Sequence, residues 1–266
     1  MPKRLYKYQA LTIQTLANLS SRTLWFSAPI DFNDPFDCAA VALDTTLSDV
    51  DAERAFELYR KRVADPAEFE ERYRKNGAVS DSFREELLRG SESALQEIRD
   101  VRRGVACLAE TWNDLLMWAH YANGHRGVCL EFDASADPFS KARKVVYSPS
   151  VPLINSVRIL TDKSSNELTE ALYLTKSAHW GYEKEWRLLH MTERTAYTYP
   201  WQTLTGVYLG SGIAEEHAAL VALVLQGSPT QLYNVKRSNG AFSLSAERVK
   251  HLPFDYKAGG LTGVAG

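Results

Sequence analysis

The stretch from Ser48 to about Arg103 constrains the fold of this chain more than any other part of it. DVDAERAFELYRKRVADPAEFEERYRK and then SDSFREELLRGSESALQEIRDVRR are dense in Glu, Arg, Leu and Ala at helical spacing. Pro66 stands where a new helix would open, because proline loses nothing at a first helical position. Gly77 and Gly90 punctuate the run. Positive and negative side chains balance along it, which reads as a solvated helical insertion and not as a charged tail or a repeat array.

On both sides of this block the pattern is that of short strands. Before it come a basic-aromatic start (residues 3–8), a short amphipathic helix in LTIQTLANL, a strand in TLWFSAP and a turn cluster in DFNDPFD. FDCAAVAL (36–43) is a second strand candidate. After it, GVACLAE and GVCLEFD bracket a helix in NDLLMWAHYA that Asn113 or Asp114 would cap. ARKVVYS, KEWRLLHM and LTGVYLG read as strands, SSNELTEALYLTKS and IAEEHAALVALVLQG as helices, and TQLYNVKR with AFSLSAERV as a closing hairpin. Helices and strands are interspersed without a βαβ rhythm. The expected class is therefore α+β, a mixed and mostly antiparallel sheet core with a helical insertion at about 48–103. Residues 1–255 are expected to form a single domain and 256–266 a flexible tail.

Charge narrows the function less than pattern narrows the fold. The 31 basic and 33 acidic side chains give a net charge of −2, which excludes a protein that holds nucleic acid by bulk positive charge and leaves room for a local basic groove. The start lacks the apolar run of a signal peptide, and no stretch approaches the roughly 18 apolar residues of a membrane span. Cys38, Cys107 and Cys129 are an odd set in apolar surroundings, as buried reduced thiols are. A cytoplasmic protein with no membrane partner is the expectation.

Four constellations could carry chemistry. In WFSAPIDFNDPFDC, strand alternation puts Leu24 and Phe26 on one face and Trp25 and Ser27 on the other, so Ser27 could face a cleft beside an indole or simply begin the next turn. Asp31, Asp34 and Asp37 lack the Gly and the later Glu of a calcium loop, and structural Asx turns explain Asn33 and Asp34 better. In ETWNDLLMWAHYANGHRGVCLEF, His120 is either a general base or substrate contact, or a satisfied buried imidazole. Zinc on Cys107, His120, His125 and Cys129 is disfavoured, since no Cys-x-x-Cys pair is present. In HWGYEKEWRLL a strand would put Glu183, Glu185 and Arg187 on one side and Tyr182, Lys184 and Trp186 on the other. The two carboxylates repel unless Arg187 or a ligand compensates, and an exposed charge ladder competes with a site in which one Glu holds a ribose hydroxyl and the other serves an acceptor. Finally Lys3, Arg4 and Lys7 beside Tyr6 and Tyr8 could meet phosphates or simply stand in solvent.

LYKYQ with LWFSAPIDFNDPFDC, then LMWAHYANGHRGVCLEFD, then YEKEWRL resemble the bacterial domain of unknown function 2971 family over essentially residues 4–210, outside the helical insertion. Many members have Arg after LYKY, where this chain has Gln9. The order of these segments is also similar to that of ADP-ribosyltransferases, with a basic residue on the first strand, a Ser on a following strand and a Glu-x-Glu strand late in the domain. That likeness implies a NAD-consuming transferase with Glu185 catalytic, Glu183 directing the acceptor and Ser27 at the nicotinamide-side ribose. Arg4 or Lys7 takes the basic role in place of Gln9, and Tyr8, Trp25 and Tyr182 join them around NAD, with His120 as a further catalytic candidate. It also implies a nucleic-acid or protein acceptor, a toxin or phage-defence role, and an antitoxin or defence-system partner. Two alternatives stay open: a metal-dependent nuclease or hydrolase built on Asp31, Asp34, Asp37 and His120, and a non-enzymatic nucleotide-binding or sensor module.

Overall fold

A computed structural model describes residues 1–161 and 166–249. The expected tail at 256–266 and part of the helix start in SSNELTEAL lie outside the described residues. The chain divides into two compact units. The first comprises 1–28, 103–145 and the segment from 180 on, and the second 29–102 and 146–179. The second unit is thus larger than the expected insertion, taking in the FNDPFD turn before it and the helices after residue 146.

The first unit is built on an eight-stranded sheet: β1 (Arg4–Gln9), β2 (Gly104–Ala109), β3 (Val128–Asp133), β4 (Arg143–Lys144), β5 (Glu185–His190), β6 (Leu204–Leu209), β7 (Gln231–Arg237) and β8 (Leu244–Val249). Their order across the sheet is β8-β7-β6-β3-β1-β2-β5-β4. Every pairing is antiparallel except β6 with β7, so the mixed, mostly antiparallel α+β expectation holds. Helix α1 (Ile13–Ser21) follows β1, α2 (Leu115–Tyr121) links β2 to β3, and α3 (Glu215–Val224) makes the crossover between β6 and β7.

Alternation along the strands separates two cores. Leu5, Leu108, Leu130, Phe132 and Leu188 bury one face of the sheet with Leu19 of α1 and Val221 of α3. Tyr8, Cys129, Tyr208 and Val235 project from the other face and pack with Met117 and Trp118 of α2. The α2 start is held by Asp114, whose Oδ1 accepts from the Leu116 and Met117 backbone N–H groups at 2.9 and 3.0 Å. After α2 the chain turns back through Asn123, Gly124 and His125, all at positive φ. Gly127 then passes so close to the Gln9 carbonyl that a Cβ would lie 2.1 Å from it, which leaves glycine as the residue that fits.

Three local expectations change. FDCAAVAL is mostly turn, with a strand only at Ala42–Asp44 and Phe36 67% exposed. ARKVVYS breaks into β4 and a separate strand, Val146–Ser148, that pairs in parallel with Thr175–Ser177 in the second unit. The long insertion helix Asp81–Asp100 runs straight through Gly90, which does not end it. The other insertion helices, Asp49–Arg60 and Pro66–Tyr73, start as expected, with Pro66 in the first turn and Ser48 and Asp65 as N-caps. Phe56, Tyr73, Phe83, Leu87 and Val157 give this second unit its own core.

Candidate functional site

Register places the candidate residues along one row of the first unit's sheet. Gly206, Glu131, Tyr6, Ala109 and Glu185 stand opposite one another across β6, β3, β1, β2 and β5. All project from the face that α2 partly covers. Glu131 and Glu185 are therefore three strand spacings apart, about 14 Å, with Tyr6 and the small Ala109 between them.

The Glu185 end is a buried charge cluster. Arg187 donates from Nε and Nη2 to the two Glu185 oxygens at 2.7 and 2.8 Å, and the two residues are 0% and 3% exposed. A two-point guanidinium clamp holds a carboxylate ionised and in one orientation. Lys7 reaches the same place from β1, its ammonium enclosed and donating to the Cys107 carbonyl at 3.2 Å while the stem keeps some exposure. Burial lowers the Lys7 pKa, and Cys107 and Glu185 pull it back up. The Cys107 thiol is pushed well above its usual range, first by burial and then by Glu185, so it is no thiolate nucleophile.

Glu183 departs from the expected ladder. The strand begins only at Glu185, because Lys184 takes a positive φ of 45° and Ala178–Glu183 form a short 3-10 segment. Glu183 is nevertheless buried, and the Tyr121 hydroxyl donates to its Oε1. His120, expected either at a site or as a buried imidazole, is exposed, and its Nδ1 lies 2.9 Å from the Tyr182 hydroxyl. The face that carries Glu185 and Arg187 is thus buried, where an exposed charge ladder was one of the readings, and Trp186 from its opposite side joins the core.

The other candidates lie apart from this cluster. Ser27 bridges Val105, whereas Glu185 pairs with Ala109, four residues further along β2 or about 13 Å. Trp25 is 39% exposed on a strand pairing with Thr195–Thr198. The Tyr8 hydroxyl donates to the Thr111 carbonyl at 2.8 Å and its ring meets Trp118 edge-on, a structural role. Arg4 lies 3.5 Å from Glu131 and 3.3 Å from Asp133. Asp34 makes the expected Asx turn, accepting from the Phe36 N–H at 2.9 Å, and Asp37 is a buried ion-pair partner of Lys176 at 3.2 Å. Among the described residues no group of three or more metal-ligating side chains converges, and no helix is long and apolar enough to cross a membrane.

Sequence reasoning missed the opposite end of the row. Glu131 accepts from Thr205 Oγ1 at 2.7 Å and from the Tyr208 hydroxyl at 2.8 Å, and Trp112, Tyr208 and Tyr233 stack at 4.8 and 4.6 Å beside it. The signal was in GVCLEFD, where the residues between the apolar ones are Cys129, Glu131 and Asp133. Residues 117–188, from α2 into β5, match the family model described as "Protein of unknown function (DUF2971)". No curated protein and no solved structure matches the chain.

Proposed function

We propose that this protein, whose residues 117–188 match a DUF2971 family model described without an activity, is an ADP-ribosyltransferase-like enzyme that consumes NAD. The supporting observation is that a first-strand lysine, donating to the Cys107 carbonyl, lies within electrostatic reach of the late-strand Glu185, which Tyr182 and Glu183 closely precede in the chain. In this reading the ionised Glu185, oriented by Arg187, stabilises the positive charge that develops on the ribose. The bond from the ribose carbon to the nicotinamide nitrogen breaks, and nicotinamide leaves with the electron pair. An acceptor oxygen or nitrogen of a nucleic acid or protein then bonds to that carbon, and Glu183 takes its proton. Tyr182 stacks on the nicotinamide ring, and Lys7 and Arg4 serve the phosphates. Both carboxylates are enclosed, so NAD binding requires the side chains that cover them to move.

That enclosure also favours a second reading, a nucleotide-binding module without turnover. One experiment separates the two: nicotinamide release from NAD by the purified chain, with and without DNA, RNA and protein, beside Glu185→Gln and Glu183→Gln. The enzyme reading expects release that Glu185→Gln lowers at least a hundredfold while its circular dichroism and ligand-free melting stay those of a folded protein. Release unchanged in that variant ends the assignment to Glu185. A raised melting temperature with NAD and no release supports the binding module.

A further inference from the structure

The hairpin that closes the sheet carries a second cavity, of about 410 Å³, unconnected with the roles given to Glu185 and Glu183. It is lined by Leu115 and by Arg237, Ser238, Gly240, Phe242 and Ser243 of the β7–β8 turn. Sites for small organic ligands start at about 300 Å³, so this volume suits one mononucleotide-sized unit and is too small for a dinucleotide. The lining holds one cation and no carboxylate. The Arg237 guanidinium makes no ion pair among the described residues, unlike Lys236 beside it, which pairs with Glu247 at 2.6 Å. Phe242 is 99% exposed, an aromatic ring left in water at the rim of a cavity.

A second polar group near Arg237 also lacks a partner. The Nδ1 of His125 is buried without a hydrogen-bond partner, and its ring stacks on Trp118. Burial holds the imidazole below its usual pKa, and the neighbouring Arg237 charge adds to the effect. Arg237 thus stands as the one charge of the lining, with no carboxylate beside it there. By contrast, the larger cavity of the second unit, about 560 Å³, sets carboxylates of Asp49, Glu53 and Glu57 beside its arginines and pairs Arg84 with Asp49 at 2.6 Å.

We infer that this cavity binds a nucleotide unit, with the base stacked on Phe242 and the phosphate held by Arg237 and the Ser238 and Ser243 hydroxyls. An unpaired guanidinium matches a phosphate in charge and geometry, and an exposed ring takes any base through its face. This assignment goes beyond the NAD reading and does not depend on it. It supplies a place for a free mononucleotide or for one unit of a single strand, and the two sources share this chemistry.

The test titrates the full chain with AMP, with inorganic phosphate and with a fluorescent single-stranded 12-mer, beside Phe242→Ala, Arg237→Gln and Glu185→Gln. Both surface variants remove exposed side chains, so folding is retained, and circular dichroism checks it. Expected are AMP or 12-mer binding weakened at least tenfold by each surface variant and unchanged by Glu185→Gln. AMP competing with the 12-mer identifies a strand as a source, and AMP binding without the 12-mer identifies the free nucleotide. Binding that both surface variants leave intact, or no binding of either probe, overturns the inference. Phosphate binding equal to that of AMP and indifferent to Phe242→Ala overturns the base half of it. Loss of NAD turnover with this binding intact bears on the enzyme reading alone.

Discussion

Single residues in this protein are decided by what encloses them. Glu185 and Arg187 could have stood in water as a surface pair worth well under about 1 kcal/mol. Enclosed, each depends on the other, and removing one partner of such a pair typically costs about 3–5 kcal/mol. His125 is the residue whose enclosure makes a pH prediction. Its folded-state pKa lies below the ordinary 6.5, through burial first and Arg237 second. The unfolded chain therefore binds a proton more readily, and the contribution is present above pH 6.5 and lost as pH falls through that value toward the folded pKa. Urea unfolding at pH 7.5 and 5.5 should show a smaller loss of stability on acidification in His125→Gln than in the parent. An identical loss would mean that the imidazole does not titrate differently on folding. None of this was legible in the letters. The spacing of Glu183, Glu185 and Arg187 said which residues could share a face, but not whether that face is covered.

At the scale of elements, periodicity served well where a strand or helix is continuous. β3, β5, β6 and the insertion helices follow their apolar patterns and their caps. It failed where one backbone angle interrupts the pattern. The positive φ at Lys184 takes Glu183 off the strand, and no local sequence signal marks it, since lysine has no preference for that conformation. The parity argument then assigned Glu183 to a ladder it does not join. Asp114 shows the opposite case, an expected cap that forms. Asp114→Ala should cost about 0.5–2 kcal/mol, and the α2 amides should lose hydrogen-exchange protection before those of β2. Because α2 also carries Tyr121 and His120, a loosened α2 should release Glu183 as well, which a slower nicotinamide release in this variant would register.

At the scale of the whole molecule the chain divides into two compact units. The boundary was hard to see because the second unit is assembled from two separated stretches, 29–102 and 146–179. The Asp37–Lys176 ion pair joins those stretches, with side chains 3% and 5% exposed. Lys176→Ala breaks this buried pair, and breaking such a pair typically costs about 3–5 kcal/mol. Hydrogen exchange should then accelerate in Asp81–Asp100 while the β2 and β5 amides keep their protection, because locally cooperative regions open separately. Equal acceleration in both would show that the molecule unfolds as one.

The place of β1 has a consequence for how the chain is made. It lies in the middle of the sheet, between β2 and β3, yet its neighbours begin only at Gly104 and Val128. On a ribosome adding about 5–20 residues per second, the first strand waits for several seconds or more with Leu5 unburied. The helices of the insertion emerge during that interval. A nascent chain of this protein therefore presents a central strand of its sheet before either neighbour exists, and holding that strand out of misplaced pairings is the main demand its topology makes on early chaperones.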